Sequence, residues 1–252
     1  MSQRENQIKA LVRHSYEDSQ VISRYTSIGL WLSEENLLLE YVPDEGRILD
    51  MGCGAGRTTI PMAEMGLDVV GIDISSPMVG VARQQAGIAG VGADFQVMDS
   101  MQLKFPEASF DVAFYSYNGI ELIPGQDGKQ KVMAEVWKVL KPGGYFIFSS
   151  HSLFALNRFA PFRVLSFFKL CAGRFAGFPV RERELGERFA DGEGEEVRYL
   201  QVLPPFLLLK MLRQTGFEVV YFNTRKRLEN GCKWGFPGHF EDGERFYVAR
   251  KS

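Results

Sequence analysis

The sequence predicts an α/β protein with a largely parallel sheet and helices on both of its faces. Short apolar runs alternate with helical patterns through the first 150 residues. A glycine-rich turn joins the first apolar run to a helix, and acidic residues follow the ends of three such runs. Alternating βα units build parallel sheets through right-handed crossovers, and ligands then bind beyond the carboxyl ends of the strands.

The N-terminal region, 1–46, is expected to be helical. Ile8, Leu11 and Val12 form one apolar stripe. A second helix is expected to begin near Ser33, a good N-cap residue that is followed by two glutamates in the first helical turn. A Pro-Asp-Glu-Gly sequence ends that helix and leads into the first strand.

Seven strands are predicted, the first of them ending at Asp50. The others are expected at 68–73, 94–98, 110–115, 145–149, 216–223 and 244–251. Helices are expected at 77–86, 130–140 and 205–214. The alternation stops at His151, and residues 153–203 differ in composition from the rest of the chain.

The composition is that of an ordinary globular protein. Of the 252 residues, 45% are hydrophobic and 24% are charged, with a net charge of −2 that gives no global reason to expect a nucleic-acid partner. Three cysteines without paired or metal-ligand spacing favour a reducing cytoplasm and no metal site. Neither an apolar leader nor an 18-residue apolar run is visible, so a signal peptide or membrane span is not expected.

The stretch Ile48–Arg57 carries the strongest functional signal. Glycines alternate at 52, 54 and 56 between a strand end and a helix start, where exposed amides favour an anionic ligand group. A dinucleotide fingerprint needs its third glycine where Arg57 stands, and a phosphate loop needs a Gly-Lys-Ser/Thr sequence that is missing. A tight turn that binds nothing is the alternative, although it needs only one or two glycines.

The remaining pattern, Asp-x-Gly-x-Gly-x-Gly over residues 50–56, resembles the first motif of class I methyltransferases, which bind S-adenosylmethionine (AdoMet). The resemblance covers about residues 46–150 and 204–251. It implies a Rossmann-like seven-stranded sheet whose last strand is antiparallel. It also implies that Gly52 and Gly54 lie under the methionine part of AdoMet.

Two further carboxylates suit a nucleoside. Asp73 ends the second strand and can accept hydrogen bonds from both ribose hydroxyls, a role that the family assigns to this position. Its alternative role is to cap the next helix, for which Ser75 and Ser76 are better placed. Asp99 follows the third strand and is expected to accept from the adenine amino group, unless it is a solvated loop residue.

Other residues complete the expected cofactor site. Asp50 is expected to support the glycine loop, and Arg57 either contacts the methionine carboxylate or is a surface residue. Ile74 is expected against the adenine ring. The predicted cofactor-binding set is Asp50, Gly52, Cys53, Gly54, Gly56, Arg57, Asp73, Ile74, Asp99, Ser100, Met101 and Tyr115.

The chain lacks two motifs of methyltransferases that act on nucleobases, and this narrows the range of possible methyl acceptors. Methylation of exocyclic base amines uses Asn/Asp/Ser-Pro-Pro-Tyr/Phe after the fourth strand, where this chain has Tyr-Ser-Tyr-Asn at 115–118. Leu203–Phe206 looks similar but lies after the insertion, where it suits a helix start. No Pro-Cys nucleophile for 5-methylcytosine chemistry is present either.

Methyl transfer from a sulfonium is an in-line displacement that requires alignment and the exclusion of water, so a base is optional. His151 and Tyr117 are the candidate catalytic residues, and His151 is the first choice as base because its reference pKa suits neutral pH. A strand-end histidine bonded to the backbone is the alternative. The predicted acceptor pocket comprises Tyr16, Tyr25, Trp31, Asn118, Glu121 and His239.

The segment 153–180 is unusual, with seven phenylalanines among four basic residues and no acid. One hypothesis is an apolar lid over a hydrophobic acceptor near an anionic membrane surface. The other is a helical cap whose phenylalanines pack on the edge of the sheet, favoured because 181–196 restores the acidic balance.

The chain is therefore expected to be one AdoMet-dependent methyltransferase domain acting on a small-molecule or lipid-like acceptor and releasing S-adenosylhomocysteine. Its expected parts are an N-terminal lid (1–46), a core (47–152 and 204–252) and an inserted cap (153–203). A non-catalytic AdoMet-binding regulatory module, an aminopropyltransferase and a dehydrogenase remain as alternatives. The sequence does not indicate an oligomeric state.

Overall fold

The structure, a computed structural model, describes residues 3–17, 28–191 and 197–252. Its centre is a seven-stranded sheet. Its strands are β1 (Arg47–Met51), β2 (Asp68–Asp73), β3 (Asp94–Val97), β4 (Phe110–Tyr115), β5 (Leu140–Ser150), β8 (Phe217–Thr224) and β9 (Arg245–Lys251). The two remaining described strands, β6 (Glu187–Asp191) and β7 (Val197–Gln201), pair with each other as a separate antiparallel hairpin.

The order of strands in the sheet is β3-β2-β1-β4-β5-β9-β8. β1 to β5 are parallel, and β9 runs antiparallel to both of its neighbours. The predicted Rossmann-like sheet with an antiparallel last strand in chain order is thereby confirmed. Strand order reverses at β1, which pairs with both β2 and β4, and a crevice forms at the carboxyl end of such a reversal.

Helices cover both faces of the sheet. The described helices are α1 (Gln3–Ser15), α2 (Leu32–Tyr41), α3 (Thr59–Glu64), α4 (Ser76–Ala89), α5 (Gly125–Val139), α6 (Ala160–Ala176), α7 (Pro205–Thr215) and α8 (Arg225–Glu229). Two 3₁₀ turns lie at Gly119–Leu122 and Phe236–His239. Apolar residues of α5 and α7 pack on one face of the sheet, whereas α2 and α3 pack on the other.

Strand alternation explains this two-sided core. Ile48 and Val112 point to the α2 and α3 side, while Leu49 and Ala113 point to the α5 and α7 side. Because successive side chains of a strand face opposite ways, a buried parallel strand must be apolar throughout. The almost continuous apolar runs of the sequence reflect this requirement.

Two element boundaries differ from the predictions. α2 begins at Leu32, with Trp31 as its N-cap, and Ser33 is buried inside the first turn. The Trp31 amide donates to Glu34 Oε2 at 2.8 Å, so the third helical residue closes the helix start in place of a capping serine. The expectation that Ser33 is the N-cap is wrong.

α5 begins five residues before its predicted start. Its first turn contains Gly125 and Gly128, which weaken the helical pattern. The exposed amides of that turn are satisfied from far along the chain: Gly125 N donates to Tyr199 Oη and Gln126 N donates to Glu184. This tertiary capping is invisible in the local sequence.

The insertion between β5 and α7 contains both α6 and the β6–β7 hairpin. Arg4 of α1 contacts this hairpin through two hydrogen bonds to the Glu187 carboxylate, of 3.0 and 2.8 Å. No side chain of α6 is fully buried, and Phe168 and Phe175 are 63% and 81% exposed. The expectation that the phenylalanines of residues 153–180 pack on the edge of the sheet is therefore wrong.

Within the ranges that the structure describes, no helix combines the length and the apolar composition that crossing a bilayer requires.

Candidate active site

A cleft lies at the carboxyl end of β1, β2, β3 and β4, where the strand order reverses. Its empty volume, including space open to solvent, is about 1020 Å³. Lys9 and Val12 of helix α1, with Tyr16 in the turn after it, cover part of the cleft. The predicted residues that line the cleft are Tyr16, Asp50, Gly52, Cys53, Gly54, Arg57, Asp73, Ile74, Asp99, Ser100, Tyr115 and Tyr117.

The glycine loop forms the floor of the cleft. Gly52 and Gly54 have φ angles of +66° and +55°, a region that side-chain-bearing residues rarely adopt. A Cβ atom on Gly52 would lie 2.9 Å from the Tyr115 ring, so only glycine allows the loop to approach that ring. Gly56, also predicted to bind cofactor, packs against Ile60 and does not line the cleft.

Asp50 braces this loop from beneath. Its Oδ2 accepts hydrogen bonds from the Thr58 and Thr59 hydroxyls, both at 2.5 Å. Burial raises the pKa of Asp50 to about 6, although both hydroxyls oppose that shift. Asp50 thus supports the start of the helix that follows the loop, through threonine hydroxyls.

Asp73 stands beside the loop at the end of β2. Its Oδ2 accepts from the Gly54 amide at 3.0 Å, and its Oδ1 accepts from the Ser75 amide at 2.8 Å. Ser75, and not Asp73, caps α4, because its hydroxyl accepts from the Met78 amide. A carboxylate can accept about four hydrogen bonds, so Asp73 keeps capacity for two hydroxyls of a ligand.

Asp99 lines the cleft just after the end of β3. Its Oδ1 accepts from the Met101 amide at 2.8 Å, and its Oδ2 lies 2.5 Å from the Lys9 ammonium. Lys9 belongs to α1, so this ion pair fastens the N-terminal helix over the end of β3. Ser100 lines the cleft, whereas Met101 is buried in the core below it.

Arg57 is directed away from the centre of the cleft. Its guanidinium forms a buried two-point ion pair with Glu34 of α2 and also donates to Ser116 Oγ and to the Gly29 carbonyl. It lies over the rings of Trp31 and Tyr117, at 5.3 and 4.9 Å from their centroids. Because these partners occupy its donors, the Arg57 guanidinium links α2 to the glycine loop. Arg57 also lines the cleft.

The segment after β4 forms one wall. Tyr117 and Asn118 have φ angles of +51° and +60°, two consecutive strained residues of the kind found at functional sites. The Tyr117 ring packs on Trp31, with centroids 5.1 Å apart, and faces the cleft. Asn118 and Trp31 do not line the cleft, and the buried Asn118 Oδ1 has no hydrogen-bond partner among the residues that the structure describes.

His151 and Glu121 lie together, but outside the cleft. Glu121 Oε1 accepts from the backbone amide of His151 and from Ser150 Oγ, and lies 3.1 Å from His151 Nδ1. Burial lowers the pKa of His151, but attraction to Glu121 and neighbouring carboxylates outweighs it and raises the pKa above its ordinary value. The raised pKa favours the protonated ring, which donates hydrogen bonds, over the neutral ring that a general base requires.

Two other predicted pocket residues are not brought to the site. His239 packs on the rings of Trp234 and Phe236, in the 3₁₀ turn before β9, and does not border the cleft. Tyr25 lies outside the described residues. The sequence reasoning also missed several cleft residues, because their positions depend on packing between distant elements: Lys9, Val12, Thr58, Met78, Met98, Gly119, Leu122, Ile123 and Pro124.

The residues of the cleft fit AdoMet. The glycine cradle leaves room for a ligand: the nearest atom to a Cβ built on Gly54 is the Met78 sulfur, at 4.0 Å. Asp73 and Asp99 line the cleft and would hold the ribose and adenine ends, and Ile74, Met78 and Met98 would supply apolar contacts. The methionine part would then lie over Gly52 and Gly54.

Comparison with known proteins supports this assignment. The family described as "Methyltransferase domain" matches residues 48–144. A tRNA 5-carboxymethoxyuridine methyltransferase of Escherichia coli K12 is 31% identical over 140 residues, which are 52% of this chain and 51% of that protein. A ubiquinone biosynthesis O-methyltransferase of Agrobacterium fabrum is 32% identical over 127 residues, covering 50% of this chain and 47% of that protein.

A crystal structure of a SAM-dependent methyltransferase from Methanosarcina mazei superimposes with a TM-score of 0.69 over 89% of this chain and 99% of that chain, at 23% identity. The similarity in sequence to the curated relatives spans about half of their length. Residues 48–144, which carry the glycine loop, Asp73 and Asp99, match the methyltransferase-domain family, and the fold of the chain is that of a SAM-dependent methyltransferase.

Proposed function

We propose that this protein transfers a methyl group from AdoMet to a small-molecule or lipid-like acceptor. The main support for the proposal is that the glycine loop and Asp73 line the same cleft as a group of apolar and aromatic side chains. When bound, AdoMet supplies an activated methyl group on a sulfonium. The chain's own contribution is to hold the reactants in line and to exclude water.

Polar and apolar groups divide the cleft. Asp73 and Asp99 are the carboxylates that we assign to the nucleoside. The other residues that line the cleft are mostly apolar or aromatic. They include Val12 of α1, Tyr16 in the turn after α1, Tyr117 and residues 122–124. Such a wall suits an acceptor with an apolar body, held by contact area and a few directed hydroxyls.

The relatives act on different acceptors, by their names a tRNA uridine and a ubiquinone precursor. We favour the second kind of acceptor chemistry for this chain. Nucleic-acid binding relies on clustered lysines and arginines that neutralise phosphates, and this chain has a net charge of −2. The Lys9 and Arg57 cations at the cleft are already paired with Asp99 and Glu34.

We assign Tyr117 to contact with the acceptor, because its strained backbone and its packing on Trp31 fix its ring at the cleft wall. His151 is assigned to positioning, through Glu121 and the ends of the segments that follow β4 and β5. In this proposal residues 1–46 form the lid, 47–152 and 204–252 the core, and 153–203 the cap of one domain.

Turnover tests the proposal. The purified chain is incubated with methyl-tritiated AdoMet and a panel of phenols, quinols, carboxylic acids and amines, with tRNA as a separate arm. Transfer of label to an apolar small molecule is expected. Cofactor binding with no transfer to any arm would favour a non-catalytic AdoMet-binding module, and transfer to tRNA alone would contradict the acceptor class.

A further inference from the structure

Helix α6, at the centre of the insertion, exposes an unusually apolar surface. Its seventeen residues include none that is fully buried. Leu165, Phe168 and Phe175 are 53%, 63% and 81% exposed. Isolated exposed apolar residues are normal, but a contiguous group of this size on one helix marks an interaction surface.

Five of the six exposed large apolar residues of α6 share one side of the helix, and the sixth, Phe162, lies outside that side. At 3.6 residues per turn, Val164, Leu165, Phe167, Phe168 and Phe175 fall within an arc of about 160°. The opposite side, centred on Arg163, Ser166, Leu170 and Gly173, is the less exposed one. α6 is therefore amphipathic, and it turns its apolar face outward.

Contacts with the rest of the insertion hold α6 in this orientation. Arg163 donates to the Ala155 carbonyl at the start of the insertion. A Cβ on Gly173 would clash with Val180, so the chain after the helix folds back closely against its inner side. Arg188 of β6 lies over the Phe162 ring, with its guanidinium carbon 4.7 Å from the centroid.

The charged residues of α6 itself are all basic. Lys169 and Arg174 flank the arc on its two sides, by the same helical geometry. From Leu153 to Val180 the chain contains four basic residues and no acidic one, although the whole chain has a net charge of −2. Among the described residues, Glu182 brings a carboxylate oxygen to 4.0 Å from the Lys169 ammonium.

We propose that α6 binds the surface of an anionic lipid bilayer, with its apolar arc among the acyl chains and with Lys169 and Arg174 at the headgroups. An outward apolar arc with cationic flanks is the arrangement of an interfacial helix. Charge complementarity selects this partner, since basic residues near the apolar face attract anionic headgroups. The proposal concerns binding alone and does not depend on methyl transfer.

Vesicle flotation of the full chain tests the proposal. The probes are vesicles of phosphatidylcholine and vesicles of phosphatidylcholine with phosphatidylglycerol. We expect binding to the anionic vesicles, little binding to the neutral ones, and weaker binding as salt is added. The variants F168S/F175S and K169E/R174E are each expected to weaken binding to anionic vesicles at least about tenfold.

Matched controls distinguish vesicle binding through α6 from non-specific effects of exposed apolar residues or of net charge. I88S replaces an apolar residue that is 73% exposed on α4, and K210E/R213E reverses two exposed charges on α7, including one in its last turn as Arg174 is in α6. Both controls are expected to float as the unmodified chain does. Unchanged S-adenosylhomocysteine binding in every variant shows that each is folded.

Absence of flotation by the unmodified chain, or equal losses in the controls and the α6 variants, would overturn the proposal. So would sedimentation analysis showing a dimer that F168S/F175S converts to a monomer without vesicle binding, since the arc would then be an interface between copies of this chain.

Discussion

The guanidinium of Arg57 and the carboxylate of Glu34 form a two-point ion pair, with Nη1–Oε2 and Nη2–Oε1 distances of 3.0 and 2.5 Å. The two side chains are 5% and 0% exposed. Ser116 donates to the same carboxylate, so the pair joins α2, the glycine loop and the end of β4. The wall and the floor of the cleft are thereby fixed relative to each other.

Replacing Glu34 with Gln is expected to lower the free energy of unfolding by about 3–5 kcal/mol, because it leaves a buried guanidinium without its counter-charge. Urea denaturation at neutral pH measures this. Glu35→Gln is the control, since Glu35 is the exposed neighbour and its change should stay within about 0.5 kcal/mol. Equal effects of the two substitutions would contradict the structural role of the pair.

Gly52→Ala tests the glycine cradle. The new Cβ would require a strained φ and would lie 2.9 Å from the Tyr115 ring, so a loss of about 1–3 kcal/mol of stability is expected. Gly80→Ala in α4, where a Cβ meets nothing within 4 Å, is expected to stabilise the protein by about 0.5–1 kcal/mol. Thermal unfolding of the two variants should therefore shift in opposite directions, and a shift in the same direction would count against the loop geometry.

Asp99→Ala is expected to weaken binding of S-adenosylhomocysteine by about 1.5–3 kcal/mol, the value of a hydrogen bond to a charged group. Asp94→Ala, at the exposed start of the same strand, is the matched control and should bind as the unmodified chain does. Calorimetric titration distinguishes them. If Asp99→Ala binds normally, the carboxylate serves only to hold Lys9 and α1.

His151 makes stability depend on pH. Its pKa in the folded state is raised above 6.5, mainly by Glu121 acting against burial, so the folded protein binds its proton more tightly than the unfolded chain does. The resulting stabilisation is fully present below pH 6.5 and is lost as pH rises through the folded-state pKa. His151→Gln should therefore cost more stability in acid than in alkaline solution.

Urea unfolding of both proteins over a pH series checks this, and Glu121→Gln should remove most of the difference. A pKa of His151 below 6.5 in an NMR titration of its ring proton would contradict the ion pair and restore the residue as a candidate base.

Much of the fold was predictable because a two-sided parallel sheet requires nearly continuous apolar runs, and β1, β2 and β4 show them. The glycine loop and Asp73 were predictable because their chemistry is local. The start of α5 was not, since its capping partners Glu184 and Tyr199 come from the insertion.

Long-range contacts likewise decided what the sequence left open at the site. The sequence allows Arg57 to contact the methionine carboxylate of the cofactor. In the structure its guanidinium instead pairs with Glu34, 23 positions away. Lys9 reaches Asp99 across 90 positions, and no local pattern indicates that. His151 has the residue type of a base, yet the nearby Glu121 carboxylate outweighs the effect of burial, raises the pKa of the ring and favours its protonated form.

The proposed function requires an AdoMet site in which the Asp73 carboxylate, oriented by the Gly54 and Ser75 amides, accepts hydrogen bonds from the ribose hydroxyls. Calorimetric titration of S-adenosylhomocysteine into the unmodified chain, Asp73→Ala and Asp68→Ala tests it most directly, since Asp68 is the exposed residue at the other end of β2. We expect binding by the unmodified chain and by Asp68→Ala, and a loss of about 1.5–3 kcal/mol in Asp73→Ala. No binding by the unmodified chain, or equal affinities of the two variants, would contradict the account.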